Sequence, residues 1–315
     1  MSVGATGSAV SKILLATDGS ASAKEAESFA LMMAAAYDAR LDALSVLEFE
    51  PGRDLEYDVN RRYLEDRRRE IREQGAALIQ RAEAAGVKIE RHESVGIPSR
   101  EIIALAERSR HDLVVVGTHG RTGFEHVLIG STAERVVRGA PCPVATVRGS
   151  RAAGREPSAA RTTETGNGLR ALLVAVDFSD CGRSAVEYAV QLADRFGSEV
   201  TLLHVAEPVA YGLDFTLGHA LTGQAFRKQC EESMAQLAGL FSGRGLSARH
   251  EVRSGIPGDV IRLVAQERGS DAIVMGTHGR RGWSQLRFGS VAEAVIRYAD
   301  CPVFTVRSPK FKPAT

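Results

Sequence analysis

Two stretches of this chain read alike: "VVVGTHGRTGFEHVLIGST", Val114 to Thr132, and "IVMGTHGRRGWSQLRFGSV", Ile273 to Val291. In each, an apolar run ends on a glycine (Gly117, Gly276) and a second follows after two residues (Gly120, Gly279). After nine intervening residues the pattern closes on Gly130 and Gly289, followed by Ser131-Thr132 or Ser290-Val291. This spacing suits the binding of phosphate. A glycine at a strand end lets a flat ligand lie close to the backbone, and one inside a loop adopts positive φ and turns amides inward. A Gly-Ser pair opening a helix offers serine as a natural N-cap, together with free amides and the positive end of the helix dipole. Arg121, Arg280 and Arg281 stand where they can screen phosphate charge. One such glycine does no more than end a strand; three at fixed spacing, written twice, describe a cradle.

A carboxylate complements each cradle. Asp18 closes "LLATD" and Asp177 closes "LLVAVD". A carboxylate at a strand end can accept hydrogen bonds from ribose hydroxyls or an adenine amino group, and it equally suits the N-cap of the helix that follows. Val46 and Val205 end the next strand, where an apolar wall and exposed backbone can hold a base. His119 and His278 lie in the loops, with no adjacent Asp or Glu to orient them and no serine nucleophile to pair with. They read as packing or solvent-facing residues, not as acid–base catalysts. Phe124 and Trp283, at equivalent loop positions, read as anchors that pack the loop down or meet a partner. No paired carboxylates with an activating base occur, so no catalytic residue and no protein-built metal site is assigned.

The elements that must position these groups are also written twice. An offset of 159 (276 − 117) relates Gly117 to Gly276, Asp18 to Asp177, Val46 to Val205, Gly130 to Gly289 and Cys142 to Cys301. Such constancy marks a duplicated domain. The expected division is a first domain over 10–149, a flexible Gly/Ser/Thr/Pro/Arg-rich linker over 150–168, and a second domain over 169–308. Each copy alternates short apolar runs with helical patterns: "KILLATD", "LDALSVLE", "VKIERHE", "DLVVVG" and "PVATVR" in the first, "RALLVAVD", "EVTLLHVAE", "SARHEVRS", "DAIVMG" and "PVFTVR" in the second. Apolar runs between helices predict parallel strands covered on both faces, hence a doubly wound α/β sheet with ligands outside the carboxyl ends of its strands. The 315 residues, 44% hydrophobic and 25% charged, suit two such domains. A net charge of +1 argues against a dedicated nucleic-acid binder. "RRYLEDRRREIR" mixes both signs and reads as a solvated helix face.

The pattern G-2x-G-9x-G-(S/T), with an Asp closing the first strand, resembles the ATP-binding branch of the universal stress protein family, and the likeness covers both halves. It implies a five-stranded Rossmann-like parallel sheet of order 3-2-1-4-5 in each half. It also implies ATP across the sheet edge, with divalent metal (Mg2+ or Mn2+) on its phosphates. By this resemblance Asp18 and Asp177 contact adenine and ribose, Val46 and Val205 the base through their backbone, and Val116-Gly117 and Met275-Gly276 the ribose. Gly120, Gly130, Ser131 and Thr132 hold phosphates in one half, and Gly279, Gly289, Ser290 and Val291 in the other. Fifth strands of this family pair, so an intrachain pseudo-dimer is implied, and a homodimer is open. Two departures stand out: Thr17 is replaced by Val176, losing a hydroxyl beside the base, and Thr132 by Val291, losing one beside the phosphates.

The expected function is a nucleotide-dependent stress-response or signalling module, at most a slow ATPase. Nucleotide-activating enzymes of similar fold carry an S-G-G-x-D-S-type loop after the first strand, which "DGSASAKEA" and "DFSDCGRSA" lack. The alternatives are a nucleotide-free dimerising protein and a binder of cyclic AMP. Four cysteines without metal-site spacing and no apolar leader or span suggest a cytoplasmic protein that contacts neither nucleic acid nor membrane.

Overall fold

A computed structural model of the chain describes residues 10–48, 58–118, 129–149, 168–207, 218–277 and 289–307. The chain divides into two compact units, Met1–Glu156 and Pro157–Thr315. The first runs β1 (Lys12–Ala16), α1 (Ala21–Tyr37), β2 (Arg40–Glu48), α2 (Asp58–Ala84), β3 (Ile89–Gly96), α3 (Pro98–Arg108), β4 (Leu113–Gly117), α4 (Ser131–Gly139) and β5 (Val144–Val147). The second runs β6 (Ala171–Ala175), α5 (Asp180–Phe196), β7 (Glu199–Ala206), α6 (Gly218–Ser242), β8 (Ala248–Ser254), α7 (Pro257–Glu267), β9 (Ala272–Gly276), α8 (Ser290–Tyr298) and β10 (Val303–Val306).

All strands within a unit pair in parallel. The order is β3-β2-β1-β4-β5 in the first unit and β8-β7-β6-β9-β10 in the second, the doubly wound arrangement expected. Ile13, Leu14 and Leu15 of β1, Leu113 to Val115 of β4 and Leu172 to Val174 of β6 are essentially sealed from solvent. Consecutive burial, instead of alternation, means that helices cover both faces, and each such Leu or Ile contributes about 1.5–3 kcal/mol. The outer strand β3 mixes half-buried and exposed residues and buries none fully, in keeping with its place at the sheet edge.

Local signals set the helix ends. Ser20 caps α1, its side chain accepting from the Ala23 amide, and Ser179 caps α5 in the same way. Both helices stop at a left-handed residue, Asp38 (φ 50°) and Gly197 (φ 65°). Pro98 and Pro257 open α3 and α7, where a missing N–H costs nothing. At the amino edge each sheet is tied by one aspartate. Asp112 Oδ2 accepts from the Ser11 and Lys12 amides at 2.8 and 3.0 Å, and Asp271 Oδ2 from those of Arg170 and Ala171 at 2.8 and 2.9 Å.

Candidate functional site

The winding reverses between β1 and β4, and between β6 and β9. Register pairs Ala16 with Val116 and Ala175 with Met275. Thr17-Asp18 and Gly117-Thr118 therefore leave the sheet side by side at its carboxyl edge, as do Val176-Asp177 and Gly276-Thr277, at the crevice where such sheets take ligands. Val116 and Met275 are buried, and Val46 and Val205, near the ends of β2 and β7, are half-buried.

The two aspartates fix the turns they stand in. Asp18 Oδ1 accepts from the Ser20 amide at 3.0 Å and Asp177 Oδ1 from the Ser179 amide at 3.0 Å. Ser179 Oγ also donates to Asp177 Oδ1 at 2.6 Å. The helix cap falls to Ser20 and Ser179, so the carboxylates shape the turn before the cap. In the second unit a Cβ on Gly182 would stand 2.4 Å from Asp177 Oδ1, so glycine there lets the carboxylate lie over the first turn of α5. Gly276 plays a related part, since a Cβ on it would meet Cys181 at 2.9 Å. The missing side chain makes room for α5.

The starts of α4 and α8 differ from expectation by one residue. Gly130 and Gly289, not the serines, are the N-caps, with extended backbone (φ −55°, ψ 136° and φ −66°, ψ 130°) and no side-chain cap hydrogen bond. Ser131 and Ser290 are the first helical residues, because the glycine carbonyls accept the first intrahelical bonds, from Glu134 at 3.1 Å and Glu293 at 2.9 Å. The amides of Ser131 to Ala133 and of Ser290 to Ala292 have no intrahelical carbonyl to bond and face the helix's N-terminal end. The caps are anchored to the strands: the Gly130 amide donates to Thr118 O at 2.8 Å and the Gly289 amide to Thr277 O at 3.2 Å. Thr118 and Thr277 in turn donate their amides to Val147 O and Val306 O at 2.9 and 3.0 Å. These buried threonines, repeated in both "GTHG" sequences, are positioning residues that reading the glycines alone passes over. Gly120, Arg121, Gly279 and Arg280, with His119, His278, Phe124, Trp283 and Arg281, lie outside the described residues.

The first unit adds a polar chain behind its aspartate. Thr17 Oγ1 donates to Glu27 Oε1 at 2.8 Å and accepts from the Gly19 amide at 3.2 Å. Arg81 Nη1, from the last turn of α2, donates to Glu27 Oε2 at 2.9 Å, and its Nη2 to Ser28 Oγ at 2.7 Å. Thr17, Glu27 and Gln74 line a residual cavity of only about 10 Å³, barely the size of one water. The equivalents of Thr17, Glu27 and Arg81 in the second unit are Val176, Val186 and Leu240.

Other titratable groups lie away from this edge. Burial pushes the Asp42 carboxyl up, but hydrogen bonds from Arg40 (2.9 Å) and His111 (3.0 Å) outweigh it and hold it below the usual carboxylate range. Asp42, Glu90 and His92 bring ligand atoms within 4.8 Å of one another, yet Arg40, ion-paired to both acids, already supplies the positive charge. Burial above all pushes the Cys142 and Cys301 thiols up to about 12, which makes them poor nucleophiles. No helix among the described residues is long and apolar enough to cross a membrane.

The family model described as "Universal stress protein family" matches residues 9–148 and again residues 168–307. The chain belongs to the universal stress protein family. Universal stress protein MJ0531 of Methanocaldococcus jannaschii is 36% identical over 138 residues, which is 44% of this chain and 81% of that protein. Universal stress protein Mb2028c of Mycobacterium bovis is 28% identical over 208 residues, 62% of each chain. A crystal structure of a universal stress protein from Archaeoglobus fulgidus superposes with a TM-score of 0.67 at 25% identity, covering 94% of this chain and 96% of that one. The duplication read from the offset of 159 appears as two matches to the family model, and the Rossmann-like fold expected from the sequence is that of the family.

Proposed function

We propose that each unit binds one adenine nucleotide, ATP with Mg2+ or Mn2+, and that occupancy sets conformation and partner choice in a stress response. The observation that carries this reading is the pair of glycine-capped helix starts at α4 and α8. Each is tied to the adjacent strand end, and each stands at the carboxyl edge where Asp18 or Asp177 leaves the sheet. Uncapped amides and the helix dipole favour a phosphate at that point. The aspartates then serve the ribose and adenine, while the backbone near Val46 and Val205 serves the base. Gly120 with Arg121, and Gly279 with Arg280, complete the phosphate contacts. The cation is held chiefly through phosphate oxygens, as hard divalent ions commonly are.

Rapid hydrolysis does not fit, because among the described residues no side chain stands as a base beside the helix starts, and Asp18 and Asp177 already accept hydrogen bonds from their own turns. We place the activity in the cytoplasm, which suits the free cysteines Cys142, Cys181, Cys230 and Cys301. The test is to denature the purified protein and identify released nucleotide by mass spectrometry, then to titrate the emptied protein with ATP and Mg2+, AMP and cyclic AMP. ATP should be released or should bind more tightly than the others. Tighter cyclic AMP would change the ligand, and no adenine nucleotide at all would leave a protein acting through association alone. A turnover of about 10 s⁻¹, ordinary for an enzyme, would contradict a signalling role.

A further inference from the structure

We infer that Glu27 is a positioning residue for the nucleotide edge of the first unit and couples that edge to α2, an inference that rests on the nucleotide reading above. Glu27 is only 7% exposed, so its charge needs partners on both oxygens. One accepts from the Thr17 hydroxyl and the other from the Arg81 guanidinium. An ionised carboxylate only accepts. Thr17 must therefore spend its proton on Glu27 and turn a lone pair to the Gly19 amide, which it receives at 3.2 Å. Gly19 (φ 69°) and Ser20 are the residues that follow Asp18, and the Ser20 amide binds the Asp18 carboxylate. The acceptor oxygen that Glu27 presents to Thr17 thus dictates the hydrogen bonds of the turn that presents Asp18.

The far end of the chain is α2. Arg81 holds Glu27 and Ser28 together, and Gln74 lies over Gly19 so closely that a Cβ there would fall 1.6 Å from Gln74 Oε1. Interiors this full transmit displacement instead of absorbing it. A nucleotide that pulls on Asp18 acts on α2, and a change in α2 alters nucleotide binding by the same factor. The second unit lacks the link, because Val176, Val186 and Leu240 can form no such chain. Its nucleotide edge is not joined to α6 by such a polar chain.

Installing the second unit's residues in the first tests this. Glu27→Val with Arg81→Leu replaces a buried ion pair by apolar side chains, a change that commonly preserves stability. The full chain is titrated with ATP and Mg2+ and followed by hydrogen-exchange mass spectrometry, so that peptides over 130–134 and 289–293 report the two units separately. The double variant should need about tenfold more ATP to protect the first unit, with the second unchanged. Its Gly19 and Ser20 amides should exchange faster even without ATP. Glu27→Gln, which still offers Thr17 an oxygen, should stay within about threefold of wild type. Equal ATP requirements in wild type and double variant, or equal weakening of both units, overturns the inference. If the wild type shows no ATP protection in either unit, the nucleotide reading fails and the inference falls with it.

Discussion

The two units share every strand and helix, yet they secure their first helix pair by opposite means. Between α1 and α2 the tie is charged: Thr17, Glu27, Ser28 and Arg81 form one hydrogen-bonded chain over a cavity of about 10 Å³. Between α5 and α6 the same positions carry Val176, Val186 and Leu240, and a groove of about 420 Å³ opens between Phe178, Arg183, Glu187, Cys230, Leu237 and Leu240. The second unit fills its interior with larger residues instead. Ser45 becomes His204, Gly75 becomes Met234 and Gly19 becomes Phe178. His204 Nδ1 lies 2.7 Å from Val176 O, and its ring sits 4.6 Å from that of Phe178. Phe178 (φ 60°) keeps the left-handed turn that Gly19 (φ 69°) makes freely, a conformation strained for a bulky residue. Duplication preserved the backbone path and the glycine-capped helices. What diverged is the support behind the aspartate-bearing turn.

The largest effect that would break the symmetry between the units is at the caps. A Cβ at position 130 would lie 3.1 Å from Thr118 O, and the branched side chain of Gly130→Val crowds both that carbonyl and the amides beyond it. Nucleotide affinity of the first unit should fall by about 100-fold as several charge-assisted contacts are lost, with the second unit unaffected. Gly289→Val should do the reverse, and site-resolved titration checks both.

Stability sharpens the contrast next. Glu27→Ala leaves Arg81 and Thr17 without their acceptor, and because Arg81 is 39% exposed and can turn to water the cost is moderated to about 2 kcal/mol. A urea transition followed by first-unit peptides would read it, and an unchanged midpoint would show that the chain is ornamental.

A pH dependence follows from Asp42, which faces Arg40, His92 and His111. Its carboxyl is held below its ordinary value. The stability it contributes is therefore present above the unfolded carboxyl value of about 3.9 and is lost as pH falls through the lower, folded value. Asp42→Asn should lower the first unit's urea midpoint at neutral pH, and the gap to wild type should close below about pH 4. A gap that widens in acid would reverse the assignment. The smallest effect belongs to Leu240, the 48% exposed counterpart of Arg81. Leu240→Gln should change stability by no more than about 0.5 kcal/mol, measured as the second unit's urea midpoint.

Much of this was legible in the residues. Runs such as "KILLATD" and "DLVVVG" announce doubly covered strands, and Gly117 with Gly130, like Gly276 with Gly289, marks the strand end and the helix start. The serine cap was misplaced by one residue, because Gly130 and Gly289 take the extended cap conformation themselves. Glu27 was invisible for a different reason. An acid inside a helix reads as solvated, and its burial depends on Arg81, 54 residues away along the chain. The only trace lies in the offset of 159, where Thr17, Glu27 and Arg81 all turn apolar together. Asp42, an acid within the buried run "RLDALSV", needed His111 and Arg40 to explain it, and only folding brings His111 to it.

Nucleotide occupancy of purified wild-type, Gly130→Val, Gly289→Val and doubly substituted protein, counted by mass spectrometry against protein concentration at an ATP and Mg2+ concentration that just fills the wild type, bears most directly on the whole account. One nucleotide per unit in the wild type, half of that in each single variant and none in the double is the predicted outcome. Equal occupancy in all four proteins, or none in the wild type, would contradict it.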